Sequence, residues 1–329
     1  MDNLKNVGVI GTGSFLPEKI ITNHDLEKQV DTSDEWIVSR TGIKERRFVQ
    51  KDVSTSDLAY KAGKKAIEAA NLNPEDIDLI IVATMTPDMI MPSTACIVQD
   101  KLEAKNAAAF DISAACSGFL YGLTIGNQMI NSGLYKNILL IGAEVMSKVL
   151  DMDDRDTCVL FGDGAGAVVL GEVSKGKGIL STELGADGTG SDYLGIPAGG
   201  TKHPATHKTV DDKMHYLKMA GKGVFKFAVR AMGNSSLEAV KKADLSLKDI
   251  DYMVPHQANI RIIQSAAKRM NLSMDKVKVN LEKYGNVSAG SIPIALDEAV
   301  RNDEINKGDN VVLVGFGGGL TWGSCLIKW

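Results

Sequence analysis

Ala62–Thr84 reads AGKKAIEAANLNPEDIDLIIVAT, and Ser235–Gln257 reads SSLEAVKKADLSLKDIDYMVPHQ. The offset is 235 − 62 = 173, and there Ala66 meets Ala239, Ile67 meets Val240, Ala70 meets Ala243 and Leu72 meets Leu245. Asp76-Ile77-Asp78 falls on Asp249-Ile250-Asp251. Each stretch reads as an amphipathic helix, a turn and a buried strand. The offset recurs downstream: Asn137–Gly142, NILLIG, meets Asn310–Gly315, NVVLVG, and 310 − 137 is again 173. Such unbroken apolar runs suit strands covered on both faces. One offset in two separate places implies a duplicated α/β unit of roughly 170 residues. No Pro- or Ser-rich linker lies near Ser174, so residues 1–174 and 175–329 are expected to pack as one body. From Gly185 to Met219 the periodicity fails, as in an insertion loop over a site or an interface.

The 329 residues are 44% apolar and 24% charged, the composition of a soluble globular chain. A net charge of −4 and 5% aromatics argue against nucleic acid as a partner. No apolar stretch reaches the roughly 18–20 residues that span a bilayer. The N-terminus has no signal-peptide design, so a cytoplasmic protein with no membrane partner is expected. Cysteines stand at 96, 116, 158 and 325 without a CxxC pair, which fits thiols in a reducing compartment. Cys96, Cys158 and Cys325 lie among apolar neighbours and are expected to pack as small hydrophobes. His203, His207, His215, Asp211 and Asp212 lack helical HxxxH spacing, so no metal is expected.

Ala108–Ser113 is strand-like and Gly118–Ile130 reads as a helix, which puts Cys116 at a strand-to-helix turn. A helix N-terminus favours the thiolate, so a lowered pKa is expected there. A free cysteine is more often a buried core residue, and Cys116 alone does not decide between the two. His256 follows a strand over Ile250–Val254, at the sheet edge where α/β proteins collect ligand sites. Asn286 lies in YGNVSAG, between a strand-like Lys276–Asn280 and an apolar helix. Because 116 + 173 = 289, Cys116 and Asn286 fall near equivalent turns, which pseudo-symmetry would bring together. Gly315-Phe316-Gly317-Gly318-Gly319 closes the last buried strand, and free N–H groups in such a loop suit an oxyanion. Phe161–Gly166, FGDGAG, precedes an apolar strand and reads as a tight turn rather than a phosphate loop.

AACSGF (114–119), PHQANIR (255–261), YGNVSA (284–289), GFGGGLTWG (315–323), SDEWIVSRTG (33–42) and FGDGAGA (161–167) together resemble the β-ketoacyl-acyl-carrier-protein synthase III family. The resemblance runs from residue 7 to the C-terminus. It implies the thiolase fold, two duplicated halves in a five-layer αβαβα arrangement, in accord with the repeat. It also implies a condensation of acetyl-CoA, or another short acyl-CoA, with malonyl-acyl carrier protein. The products are a 3-oxoacyl-carrier protein, CO2 and CoA, at the start of type II fatty acid synthesis. Both thioesters are substrates, and no cofactor is implied. By the same resemblance Cys116 carries the acyl group, and His256 and Asn286 donate hydrogen bonds to the malonyl thioester oxygen. The N–H groups of Cys116 and Gly318 form the oxyanion hole. Trp36 and Arg155 hold the adenine of CoA, Arg40 meets a phosphate and Asn259 meets the pantetheine arm. Read without the resemblance, Trp36 is a core aromatic and Arg155 an ion pair with a neighbouring Asp. A homodimer is also implied.

Met91 stands where the family often has Phe, a residue that limits the acyl pocket across the dimer interface. A flexible Met there suggests a wider primer range, including short branched acyl-CoAs. Lys218, Lys222, Lys226 and Arg230 recur every four residues on an expected helix, which aligns them on one face. A solvated basic face is the commoner meaning; an acidic carrier protein is the functional one, with Arg261, Lys268 and Arg269 extending the patch. Papain-like proteases share the order Cys, His, Asn, but the local contexts differ. A degradative thiolase needs a second catalytic cysteine, and Cys325, in a terminal strand, is poorly placed. A starter-unit synthase of secondary metabolism shares the same fold, and an intact Cys-His-Asn set argues against a scaffold.

Overall fold

A computed structural model of the chain describes residues 5–329. Strands β1 (Val7–Phe15), β2 (Leu79–Ala83), β3 (Ala108–Ile112), β4 (Ile138–Val145) and β5 (Asp163–Glu172) form one sheet in the order β1-β5-β4-β2-β3. Strands β6 (Gly178–Ala186), β7 (Tyr252–Pro255), β8 (Asn310–Gly317) and β9 (Thr321–Lys328) form another in the order β7-β8-β9-β6. The pairings β2/β4 and β7/β8 are parallel, and β4/β5, β5/β1, β8/β9 and β9/β6 are antiparallel. The register itself repeats: Leu79 faces Ile138 and Tyr252 faces Val311, with 252 − 79 and 311 − 138 both 173. The halves differ at one edge. The strand expected over Lys276–Asn280 is only a single bridge, Val277 to Met253, so β3 has no full counterpart.

The repeated Asp-Ile-Asp explains the shared turn. The Asp76 and Asp249 carboxylates accept from the backbone N–H groups of Asn73 and Ser246, capping two 3-10 turns. Ile77 and Ile250 are buried. Asp78 accepts from the N–H groups of Lys136 and Asn137, and Asp251 from that of Asn310, which ties each strand start to its parallel neighbour. The preceding helices, α2 (Thr55–Ala69) and α5 (Gly221–Lys242), are followed by left-handed residues Asn71 (φ 56°) and Asp244 (φ 54°). Asn and Asp tolerate that conformation better than other side chains.

Period-2 patterning sorts the strands into layers. Ile80, Val82, Leu139, Ile141, Ala165, Ala167 and Val169 face outward to α2 and α3 (Thr94–Leu102). Leu79, Ile81, Leu140 and Leu170 face inward to α4 (Gly118–Asn131), and α7 (Ser291–Arg301) lies beside it. Val254, Val311, Leu313 and Ile327 reach the same central layer from the other sheet, while Met253, Val312, Val314 and Leu326 face α5 and α6 (Ile260–Arg269). The order helix, sheet, helix pair, sheet, helix is the five-layer thiolase fold. Both faces of each sheet are covered, which is why β2, β4 and β8 read as unbroken apolar runs. No helix among the described residues is long and apolar enough to cross a membrane.

Candidate active site

Cys116 sits in the 3-10 turn Ala115–Ser117 between β3 and α4. Its counterpart is the 3-10 turn Ser288–Gly290 before α7. Both turns open on a non-glycine residue in the left-handed region, Ala115 at φ 47° and Ser288 at φ 48°, a conformation that costs energy and needs support from its surroundings. The Ser117 hydroxyl bonds the Ala114 carbonyl and Thr321 Oγ1, and Thr321 also donates to Ala114. A Cβ on Gly317 would stand 2.6 Å from the Cys116 nitrogen, so β8 runs hard against the nucleophile turn. The two turns also meet, a Cβ on Gly118 standing 3.8 Å from the Ala289 Cβ, and β4 runs hard against the second turn, where a Cβ on Gly142 would lie 2.2 Å from the Ala289 carbonyl oxygen.

His256 follows β7, donates its backbone N–H to Val314 and packs edge-on against Phe316 at 5.5 Å. Its ring is buried, neither ring nitrogen has a hydrogen-bond partner, and burial pushes its pKa down to about 3. The imidazole is therefore neutral and offers one N–H as a donor. Asn286 is held by backbone bonds to Leu160 and Gly162, which gives the FGDGAG stretch its structural role. Its side-chain oxygen accepts from the Ser288 N–H, which leaves the amide NH2 as the free donor.

Cys116, His256 and Asn286 line one cavity of about 100 Å³, together with Phe225, Asn259 and Phe316. On its other side Cys116 borders a second cavity of about 300 Å³ with apolar walls of Met85, Met146, Phe161, Leu194 and Leu217. Gly318 lines that cavity too. The site is thus two chambers meeting at one sulfur.

The lowered thiol pKa expected for Cys116 is not found. Burial dominates and pushes it up to about 12; a Ser288 hydrogen bond draws it down, and the nearby Glu144 carboxylate adds to the rise. A helix end worth at most about 2 kcal/mol loses to complete desolvation. Glu144 was not anticipated. It is fully buried at the end of β4, where Thr84, Met85, Thr86 and Ser288 all bond it. A lone charge inside an apolar strand is the signal that marks it.

Trp36, on helix α1 (Asp34–Thr41), carries Arg40 on its ring at 4.8 Å and Arg155 at 5.1 Å, so the structure gathers these three residues. Arg155 also bonds the Asp31 carbonyl, an acidic neighbour in space rather than in sequence. The Asn259 side chain caps α6 and donates to the Arg40 carbonyl, so it ties that cluster to the cavity rim. Lys222, Lys226 and Arg230 are exposed on α5, and Arg261, Lys268 and Arg269 are exposed on the adjoining α6. Lys218 departs from expectation: it lies in a two-residue strand paired with Leu194–Gly195, before α5 begins, and faces Asp151 at 3.9 Å. The Ala220-Gly221 corner between them breaks the helix. Met91 is 83% exposed and lines neither chamber of its own chain. Cys96 is exposed rather than packed, near the N-terminus of α3, whereas Cys158 and Cys325 are buried. Among the described residues no three His, Cys, Asp or Glu side chains are grouped to hold a metal.

A doubled five-layer body, with a cysteine turn from one half facing His and Asn from the other, defines a thiolase-fold acyl-transferring enzyme. The family profile described as 3-oxoacyl-[acyl-carrier-protein] synthase III matches residues 110–188, and its C-terminal counterpart matches 240–329. The β-ketoacyl-[acyl-carrier-protein] synthase III of Clostridioides difficile (strain 630) is 63% identical, over 98% of each chain. The crystal structure of 3-oxoacyl-[acyl-carrier-protein] synthase III from Aquifex aeolicus VF5 superposes with a TM-score of 0.91 at 48% identity, covering 98% of this chain and 100% of that one. The priming β-ketosynthase of the R1128 polyketide pathway superposes with a TM-score of 0.92 at 34% identity, covering 100% and 98%. The chain belongs to the β-ketoacyl-[acyl-carrier-protein] synthase III family.

Proposed function

We propose that the protein condenses a short acyl-CoA with malonyl-acyl carrier protein, through an acyl group carried on Cys116. The observation that carries this reading is the convergence of Cys116, His256 and Asn286 on one cavity, with a separate apolar chamber behind the sulfur. Cys116 attacks the acyl-CoA carbonyl, and the N–H groups of Cys116 and Gly318 receive the oxyanion. CoA leaves, and the acyl chain lies in the chamber of Met85, Met146, Phe161, Leu194 and Leu217. The malonyl thioester then takes the other chamber. His256 donates its N–H and Asn286 its NH2 to the thioester oxygen, so the electrons of the breaking C–C bond settle into a stabilised enolate as CO2 departs. The enolate carbon attacks the acyl-Cys116 carbonyl and the cysteine sulfur leaves. A neutral His256 suits this role, since it needs a proton to donate and no charge to bury.

Trp36, Arg40 and Arg155 are proposed to hold the nucleotide end of CoA, with adenine entering the cation-ring stack. Asn259 guides the pantetheine arm. The exposed cations of α5 and α6 dock the carrier protein, next to Phe225 at the cavity rim, where Arg261 lies 5.4 Å over the Phe225 ring. The enzyme works in the cytoplasm as a homodimer, with the exposed Met89-Ile90-Met91 run buried against the partner. Both thioesters are consumed as substrates, and the steps require no further cofactor. Intact-protein mass after mixing with acetyl-CoA tests the core of this reading. One acetyl group on the wild type and none on Cys116→Ala is expected; no adduct from acetyl-, longer or branched acyl-CoAs would defeat it.

A further inference from the structure

The ends of the two central strands are equivalent in the repeat, yet they meet the facing elbows in different ways. Glu144, near the end of β4, corresponds to Gly317 at the end of β8, since 144 + 173 = 317. Gly317 has no side chain, and β8 closes directly on the Cys116 backbone. Glu144 puts a buried carboxylate in the equivalent place, and the second elbow closes on that. The elbows differ to match. Ala115 opens the first at φ 47° and Ser288 the second at φ 48°, so this strained backbone forms with a methyl group alone. The turn itself therefore does not require the Ser288 hydroxyl.

That hydroxyl donates to Glu144 Oε1 at 3.0 Å. The carboxylate is in turn fixed from the first half of the chain. Oε2 accepts from Thr84 Oγ1, the Thr86 N–H and Thr86 Oγ1, and the Met85 N–H is shared between the two oxygens. Thr86 Oγ1 also accepts from the Val145 N–H, which locks the donors to β4. So many donors on one side leave the carboxylate no room to rotate, and Oε1 stays aimed at Ser288. The backbone N–H of Ser288 then donates to Asn286 Oδ1 at 2.8 Å. Every link from Glu144 through Ser288 to Asn286 is a hydrogen bond, and the line ends on the amide that faces the malonyl chamber. Neither Glu144 nor Ser288 lines either chamber.

We propose that Glu144 is a positioning residue for the decarboxylation step: it anchors Ser288, whose backbone N–H turns the Asn286 amide so that its NH2 meets the malonyl thioester oxygen. The proposal deepens the reading of Asn286 as a donor to that oxygen and rests on it. The two ends of an amide differ in kind, one a donor and the other an acceptor. An Asn286 side chain freed from Ser288 can present its own oxygen, which repels the enolate instead of stabilising it. Acylation of Cys116 makes no use of that amide, so the anchor serves one half-reaction and not the other. The doubled fold thus supports each elbow from the opposite half, one by an absent side chain and one by a carboxylate.

The test measures the two half-reactions separately, acetylation of Cys116 by rapid-quench mass spectrometry and decarboxylation of malonyl-acyl carrier protein by release of CO2. Ser288→Ala should lower kcat for decarboxylation by about 10–10²-fold, with KM and the acetylation rate within a few-fold of wild type. Glu144→Gln should lose decarboxylation in the same range. The deciding measurement is a double-mutant cycle with Asn286→Ala. If Ser288 acts through Asn286, Ser288→Ala should cost less than about twofold more once the amide is gone. Loss of the same factor with and without Asn286, equal loss in both half-reactions, or full decarboxylation in Ser288→Ala would overturn the proposal. Ser288→Ala keeps a residue that the first elbow already accommodates, so its cycle decides the matter if Glu144→Gln does not fold. Unimpaired decarboxylation in Asn286→Ala would overturn the donor reading and the proposal with it, whereas additivity on top of an impaired Asn286→Ala would overturn the proposal alone.

Discussion

The elbow at Ala115–Ser117 and the elbow at Ser288–Gly290 share a backbone and differ in chemistry. Each begins on a left-handed residue and each precedes a helix of the central layer, but the first follows strand β3 and the second follows a short helical turn, Leu281–Tyr284. One presents Cys116, the other Ala289, since 116 + 173 = 289. The residue before the nucleophile is Ala115 in one half and Ser288 in the other. Duplication supplied two equivalent strained turns. Divergence made one the nucleophile and the other its support, holding Asn286 by a backbone N–H and Glu144 by a hydroxyl. A single half would have the cysteine without its donors.

The sharpest break of this comparison is to move the nucleophile. Cys116→Ala should lower acyl transfer by more than about 10⁴-fold, and Ala289→Cys in that background should not restore it. Ala289 is buried, and its carbonyl packs on Gly142, away from the chambers that Cys116 borders. Mass spectrometry of the double variant after acyl-CoA treatment reads this directly. Next comes the donor half. His256→Ala and Asn286→Ala should each slow decarboxylation of malonyl-acyl carrier protein by about 10²–10³-fold while leaving acetylation of Cys116 within a few-fold. Equal losses in both half-reactions would mean that the donors do not act on the malonyl oxygen alone.

The interlock between halves has its own asymmetry. Gly142 and Gly315 are equivalent, as 142 + 173 = 315. A Cβ on Gly142 would lie 2.2 Å from a backbone oxygen, whereas one on Gly315 would meet only side chains, the nearest at 3.1 Å. Gly142→Ala should therefore cost about 3 kcal/mol and Gly315→Ala about 1 kcal/mol in denaturant unfolding. Equal costs would show that the second elbow yields as easily as a side chain. The smallest effect is at the surface. Lys222→Ala with Lys226→Ala should raise KM for malonyl-acyl carrier protein a few-fold at low salt and little at high salt, with no change in acetylation by acetyl-CoA.

Much of this was legible in the chain. The 173-residue offset anticipated the repeated strand register, and it set Cys116 and Asn286 on facing turns. Other features were not legible, for identifiable reasons. Lys218 fits a four-residue spacing, but spacing does not register the corner at Ala220-Gly221 that starts the helix after it. The strand-like Lys276–Asn280 makes only a single bridge, Val277 to Met253, because the Asn280 N–H bonds the Gln257 side chain at that edge instead of extending the ladder. Met91 reads as a pocket residue only beside relatives; in the single chain it points to solvent.

The sequence by itself determined the two α/β units, the strand-to-helix turn beneath Cys116 and the residue types of the site. Periodicity and turn chemistry are local and survive without knowledge of neighbours. Tertiary structure alone decided the electrostatics. A helix N-terminus favours a thiolate, but by less than complete desolvation opposes it. Closing two sheets over the central helices removed water from the site, drove the Cys116 thiol and the Glu144 carboxyl up and the His256 imidazole down, and set the Ser288 hydroxyl on the Glu144 carboxyl. Desolvation depends on every layer packed around a group, and no stretch of sequence shows it.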